Sequence, residues 1–190
     1  MSEIIKRIFV GDLRDAKNYD LLQKLKVTHV VNCCVTDLLP KDYTPFANKG
    51  IKYALLKSDD TNNIGIITNE SENPSSQWPS LIEFITKAYD EGGVILIHCF
   101  AGMNRSVTTT AIWLCLYGVT KTLDEALEMI KILRPVANPR PSYILWAKSF
   151  LATMATSMTP TSMSTMTSMT PMAPSMSSIT VGPTITTTTS

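Results

Sequence analysis

The sequence predicts an α/β protein in which a central, mostly parallel sheet is flanked by helices. Apolar runs of strand length alternate with segments of helical periodicity, which is the order expected of parallel strands joined by covering helices. The predicted strands lie at 7–11, 28–32, 51–56 and 94–98. The run at 94–98 shows no polar alternation, as expected of a strand buried on both faces. Ligands of such sheets bind in the loops that leave the carboxyl ends of the strands.

The first half of the chain is predicted to contain one helix and two long loops. A helix at 18–25 follows the first strand, because its apolar residues recur at helical spacing. The segment 36–50 holds two prolines and mixed charges, and the segment 59–76 is polar and rich in Asn, Ser and Thr. Both compositions are typical of surface loops.

Four helices are predicted after the second loop, at 78–89, 104–117, 122–133 and 141–151. Glycine follows the first two, which is typical of helix C-termini. Thr122 and Glu125 have the spacing of a capping box, and Pro135 ends the helix that they begin. Pro141 or Ser142 begins the last helix, which we expect to end near Leu151.

The composition changes at Ala152. No residue from Ala152 to Ser190 is charged, and Ser, Thr, Met and Pro dominate. Such a segment cannot bury enough apolar surface to offset the entropy of ordering. We therefore expect a folded domain at 1–151 and a disordered Ser/Thr/Met/Pro-rich tail at 152–190.

Composition also bears on partners and location. A formal net charge of +1 gives no field that favours nucleic acid or a membrane surface, and no run approaches the ~20 apolar residues of a membrane span. The cysteines, namely Cys33, Cys34, Cys99 and Cys115, lack the spacing of zinc ligands and are too sparse for a disulfide scaffold. The N-terminal residues lack a basic region followed by a long apolar core, so we expect no secretory signal. We expect a monomer in the cytoplasm, with the nucleus as an alternative, and no metal or cofactor.

The segment 98–106 carries the chemistry. Cys99 is followed, after five residues, by Arg105, directly behind the predicted buried strand. Backbone N–H groups in a loop that turns from a strand into a helix lack intrahelical partners, and with the helix dipole they form an anion site. The same field lowers the pKa of a thiol in the loop and makes it nucleophilic. Arg105 has the planar fork that suits bidentate contact with phosphate oxygens.

This segment resembles the signature loop of the small, atypical dual-specificity protein phosphatases, within the cysteine-dependent protein tyrosine phosphatase superfamily. The segments 27–32, 53–60 and 134–139 also resemble parts of that family, and the resemblance covers about 8–151. It implies a protein-tyrosine-phosphatase-like fold and makes 1–151 a dual-specificity phosphatase catalytic domain.

The resemblance assigns a role to each loop residue. Cys99 is the nucleophile and forms a phosphocysteine, and Arg105 binds two phosphate oxygens. Ser106 donates a hydrogen bond to the cysteine sulfur, and His98 orients the loop through hydrogen bonds and helps to set the thiol pKa. The backbone amides that bind phosphate belong to Phe100, Ala101, Gly102, Met103 and Asn104, and Gly102 also permits a backbone geometry that a Cβ would obstruct.

A carboxylic acid must protonate the leaving oxygen. Asp59 and Asp60 follow the predicted strand at 51–56, and the match to the family places Asp60 at the acid position. Asp59 is the fallback, and an acidic turn without a catalytic role is the other interpretation. Asn138 matches a family asparagine that supports the loop. Cys33 or Cys34 can form a reversible disulfide with Cys99, with ordinary buried cysteines as the default.

The expected activity is hydrolysis of phosphotyrosine and of phosphoserine and phosphothreonine in phosphorylated proteins. A domain of this size leaves little material for the deep pocket of phosphotyrosine-only relatives. The loop lacks the lysines that inositol-lipid phosphatases often place there. A non-catalytic phosphoprotein-binding module and a phosphatase of inositol lipid or RNA 5′-phosphate remain as alternatives.

Overall fold

A computed structural model describes residues 1–34, 45–56 and 74–157. The strands are β1 (Ser2–Ile5), β2 (Ile8–Gly11), β3 (His29–Asn32), β4 (Lys52–Leu55) and β5 (Ile95–His98). The helices are α1 (Leu13–Lys17), α2 (Tyr19–Lys24), α3 (Trp78–Asp90), α4 (Arg105–Leu116), α5 (Leu123–Leu133) and α6 (Pro141–Ser157), and a 3-10 turn spans Pro74–Ser76. The predicted α/β class is confirmed.

The five strands form one sheet in the order β1-β2-β5-β3-β4. The pairs β2–β5, β5–β3 and β3–β4 are parallel, and only β1 runs antiparallel, at the edge. Gly11 and Asn32 both lie in register with His98. The carboxyl ends of the three central strands therefore meet at one edge of the sheet.

Both faces of the sheet are packed against apolar residues. Successive residues of a strand point to opposite sides, so neighbours in β5 join different core clusters. Ile95 and Ile97 of β5 join the larger core cluster, which includes residues of α3, α4, α5 and α6. Leu96, between them, joins a second cluster with Ala16 and Leu22 from α1 and α2. The central strand is thus covered on both sides, as its unbroken apolar run predicts.

Two elements at the N-terminus were not predicted. Residues 2–5 form β1, which pairs with β2, so the sheet begins before the predicted first strand at 7–11. Arg7 connects them with a φ of 72°. The short helix α1 begins at a capping box in which Asp12 and Asp15 bond each other's backbone N–H groups. Both elements are too short for periodicity to reveal them.

The last helix is longer than predicted. It continues past Leu151 to Ser157, and the compact unit covers Met1–Ser157 rather than 1–151. Thr153 donates its hydroxyl to the carbonyl of Ser149, so a polar residue is accommodated inside the helix. The loss of charge at Ala152 therefore does not coincide with the end of the helix. The predicted disorder of the tail falls, from 158 onward, outside the described residues.

The capping box of α5 is confirmed. The N–H of Glu125 donates to Thr122 Oγ1 at 3.2 Å, and the N–H of Thr122 donates to Glu125 Oε2 at 3.3 Å. Most of the predicted loops, 36–50 and 59–76, falls at 35–44 and 57–73, which lie outside the described residues. Across the three described ranges, no helix is long and apolar enough to cross a membrane.

Candidate active site

The segment 99–104 connects β5 to α4 at the carboxyl edge of the sheet. His98 is the last residue of the buried central strand, and Arg105 is the first residue of α4. Gly11 and Asn32 lie on either side of His98 in the neighbouring strands. The loop therefore opens where ligands bind in parallel sheets, as the sequence predicts.

Cys99 lies at the base of this loop, and its side chain is buried. The N–H of Gly102 donates to its sulfur at 3.2 Å, and Ser106 Oγ donates to it at 3.3 Å. Burial raises the pKa of the Cys99 thiol, but hydrogen bonds from the Ser106 hydroxyl and backbone, the charge of Arg105 and the Asn104 N–H together outweigh it. The pKa is lowered overall, which favours the thiolate.

Three carbonyl groups of the loop are held from outside. The carbonyls of Phe100, Gly102 and Met103 accept hydrogen bonds from Leu13 N, Arg134 Nε and Asn138 N at 3.1, 2.7 and 2.9 Å respectively. In a trans peptide the C=O and N–H groups point in opposite directions. The amide N–H groups that follow these carbonyls, on Ala101, Met103 and Asn104, therefore point towards the inside of the loop. This orientation suits an anion.

Arg134 has a larger structural role than the sequence indicates. Its side chain is buried, and besides Gly102 it bonds the Val10 carbonyl at 3.3 Å and the Ser2 hydroxyl at 3.4 Å. It thus ties the loop to β2 and β1. In the sequence, Arg134 is marked only as part of the family-like segment 134–139. The available signal was a charged residue between Leu133 and Pro135, at the end of a helix.

The other side of the loop is held by the segment that leads into α6. Asn138 contributes its backbone N–H, so its expected support of the loop is seen in its main chain. Asn104 Oδ1 accepts from the N–H of Arg140 at 3.0 Å. The side chain of Asn104 therefore helps to fix the loop.

Gly102 is required by its surroundings. Its φ is +66°, in the region that favours glycine, and an added Cβ would lie 2.6 Å from the Gly11 carbonyl oxygen. The Gly11 carbonyl is therefore a group that a Cβ at position 102 would strike, in agreement with the expected role of Gly102. The close approach brings the loop backbone against β2.

His98 directly precedes Cys99 and Arg105 follows it after five residues, and both side chains are buried. Arg105 stands in the first turn of α4, and its charge favours the Cys99 thiolate. Burial lowers the pKa of His98 to about 4, so the imidazole is neutral at neutral pH. Neither ring nitrogen has a hydrogen-bond partner among the described residues. The hydrogen bonds expected of the His98 side chain are therefore not seen within the described residues.

The candidate acids, Asp60 and its fallback Asp59, lie outside the described residues. Leu56 directly precedes that stretch, and its N–H donates to the Asn32 carbonyl at 2.8 Å. Because β4 runs parallel to β3 and β5, Leu56 lies at the same edge of the sheet as the Cys99 loop. In the described ranges, no group of three His, Cys, Asp or Glu side chains could hold a metal ion.

Comparison with known proteins agrees with this geometry. The family model "Dual specificity phosphatase, catalytic domain" matches residues 8–150. Dual specificity protein phosphatase 1 of Arabidopsis thaliana is 28% identical over 157 residues, which cover 82% of this chain and 71% of that protein. Dual specificity protein phosphatase 15 of Rattus norvegicus is 30% identical over 146 residues, covering 75% of this chain and 54% of that one.

The crystal structure of human DUSP28 has a similar fold. It superposes with a TM-score of 0.66 at 19% identity, covering 83% of this chain and 99% of that one. The family match spans most of the chain and includes the whole loop from Cys99 to Arg105. The chain therefore belongs to the dual specificity phosphatase family, and it is an enzyme of that family.

Proposed function

We propose that this chain hydrolyses phosphotyrosine and phosphoserine or phosphothreonine in proteins through a phosphocysteine intermediate. The main support for this proposal is the loop from Cys99 to Arg105, where a thiol with a lowered pKa lies below backbone amides that point inward. Dephosphorylation of proteins is the activity that the family implies. Beyond that activity, we propose the roles of the individual residues and the range of phosphorylated residues that are hydrolysed.

In the first step, the Cys99 thiolate attacks phosphorus and forms the S–P bond as the bond to the substrate oxygen breaks. Arg105 and the loop amides bind the non-bridging oxygens and stabilise the charge that develops on them. Asp60 gives its proton to the leaving oxygen, with Asp59 as the alternative donor. The products are the free hydroxyl of the substrate protein and the phosphocysteine.

In the second step, water replaces the leaving group. The carboxylate of Asp60 takes a proton from the water, whose oxygen attacks phosphorus as the S–P bond breaks. The electron pair of that bond returns to the Cys99 sulfur. The contact from Ser106 Oγ to this sulfur, at 3.3 Å, supports a role in stabilising the departing thiolate. Inorganic phosphate leaves, and the resting thiolate is restored.

A reducing compartment forms part of this proposal, because the thiolate must stay unoxidised between turnovers. All four cysteines are free in the structure. We propose the cytoplasm, with the nucleus as an alternative.

The first experiment measures phosphate release from matched phosphotyrosine and phosphothreonine peptides in the presence of a chelator. The native chain is expected to release phosphate from both, and Cys99→Ser from neither. Binding of both peptides without release by the native chain would contradict the proposal and favour a phosphoprotein-binding module. Release from inositol-lipid or RNA 5′-phosphates, but from neither peptide, would favour a non-protein substrate.

A second experiment identifies the acid. Asp60→Asn is expected to lower kcat on a phosphopeptide by about 10²–10⁴-fold, the usual contribution of a general acid. Asp59→Asn is the matched control and is expected to retain most of the activity. The reverse pattern would assign the role to Asp59.

A further inference from the structure

A cavity of about 650 Å³ lies beside the proposed phosphate site. Its walls come from three separate parts of the chain. Leu13 belongs to α1, Phe100 and Met103 belong to the catalytic loop, and Val136 follows α5. Since the loop lines the cavity with side chains and carries the phosphate-binding amides in its backbone, the two sites are adjacent.

Three of the side chains that line this cavity are large, apolar and exposed. Phe100 is 58% exposed, Val136 53% and Met103 37%. These are three of the eight large apolar side chains that the described residues expose, and they gather at one opening. Clustered exposed apolar groups mark a surface that a partner covers.

Each charged group at the cavity has a partner within the protein. Arg14 forms a surface ion pair with Asp12 at 3.2 Å, with the Arg14 side chain 94% exposed, and the buried Arg134 is bonded to the Gly102 and Val10 carbonyls. No lysine lines the cavity. The lining therefore suits an uncharged apolar group better than a second phosphate or an inositol headgroup.

From these observations we infer that the cavity, named here the flanking subsite, takes a large apolar side chain close to the phosphorylated residue of a protein substrate. An extended peptide advances about 3.3–3.6 Å per residue, so residues within two positions of the phosphorylated one come over the flanking subsite. This inference rests on the proposed function and adds a substrate preference to it.

The test uses phosphotyrosine peptides that carry either leucine or serine at the two positions on each side of the phosphotyrosine. Affinity is measured with Cys99→Ser, which binds without turnover, and kcat/KM with the native chain. We expect the leucine peptides to be preferred about tenfold. This is the lower end of the discrimination that one methylene group gives in an apolar pocket. Equal treatment of the two peptide sets would overturn the inference.

Two variants locate the preference. Val136→Ser changes one wall that lies outside the segment 99–104, and it is expected to reduce the preference to about twofold because part of the apolar contact is lost. Leu145→Ser is the matched control, since Leu145 is 56% exposed but does not line the cavity. It is expected to keep the full preference. If both variants lose it equally, the flanking subsite is not its source.

A small substrate separates this inference from the proposed function. p-Nitrophenyl phosphate has no flanking residues, so Val136→Ser should hydrolyse it at the native rate. If the native chain hydrolyses p-nitrophenyl phosphate but does not discriminate between the peptides, the flanking subsite fails and the proposed function stands. If no substrate is hydrolysed, the proposed function fails, and the affinities of Cys99→Ser still decide whether the flanking subsite exists.

Discussion

Gly102→Ala tests whether the catalytic loop depends on its close approach to β2. The added Cβ would lie 2.6 Å from the Gly11 carbonyl oxygen and 2.8 Å from the Gly11 carbonyl carbon, and it would also meet the Arg134 side chain. Gly11 is buried in β2 and lies in register with His98. Its backbone cannot move aside without disturbing the central sheet, so the loop itself must shift.

The structure provides a matched control, because Gly118 has a similar conformation without the crowding. Its φ is +81°, against +66° for Gly102, and nothing lies within 4 Å of an added Cβ. Left-handed backbone costs an L-residue roughly 1–2 kcal/mol, which both substitutions incur. Overpacking adds about 1–3 kcal/mol for Gly102→Ala alone. We therefore expect a destabilisation of about 2–5 kcal/mol for Gly102→Ala and about 1–2 kcal/mol for Gly118→Ala.

Urea denaturation followed by tryptophan fluorescence measures both changes, because Trp78 and Trp113 are fully buried. Gly102→Ala should also lower kcat/KM on a phosphopeptide, since a shifted loop misaligns its amides, whereas Gly118→Ala should leave it unchanged. Equal destabilisation by the two substitutions would refute the argument from steric contact. Full activity in Gly102→Ala would show that the loop does not need this approach.

Three further predictions concern the loop and its surroundings. Ser106→Ala removes a hydrogen bond to the thiolate, worth about 1.5–3 kcal/mol, so kcat should fall about tenfold or more and the acidic limb of the pH–rate profile should move to higher pH; an unchanged profile would contradict this. Arg134→Lys should lower the free energy of unfolding and weaken vanadate binding, because the planar fork that holds the Gly102 carbonyl is lost; native vanadate affinity would argue against a positioning role. Burial and the Cys99 charge raise the pKa of Cys33, so peroxide should over-oxidise Cys99 rather than link it to Cys33, and a Cys99–Cys33 crosslink in mass spectrometry would reverse that expectation.

Several features could be predicted because they depend on neighbouring residues. The strand at 94–98 follows from an unbroken apolar run, and the start of α5 follows from the spacing of Thr122 and Glu125. The loop after Cys99 follows from residue types at fixed offsets within one short segment. The structure confirms the position of each of these elements. Local spacing was enough because the residues that signal each feature all lie within one short segment of the chain.

Other features depend on contacts between separate segments of the chain, which hydrophobic periodicity does not reveal. Strand β1 exists because β2 offers a free edge to four residues with no clear alternation. The helix α6 extends to Ser157 although the charge pattern changes at Ala152. Composition describes the average tendency of a segment, whereas packing against neighbours decides where an element ends.

The sequence by itself identified most candidates for the chemistry, because the proposed nucleophile, amides and guanidinium belong to one contiguous motif. Only the tertiary structure decided what holds them in place. Arg134 reaches the Gly102 carbonyl from 32 residues away, and Asn138 and Leu13 hold the other loop carbonyls. The flanking subsite likewise unites three distant segments. Such contacts arise when the whole chain packs, so no local pattern of residues can specify them.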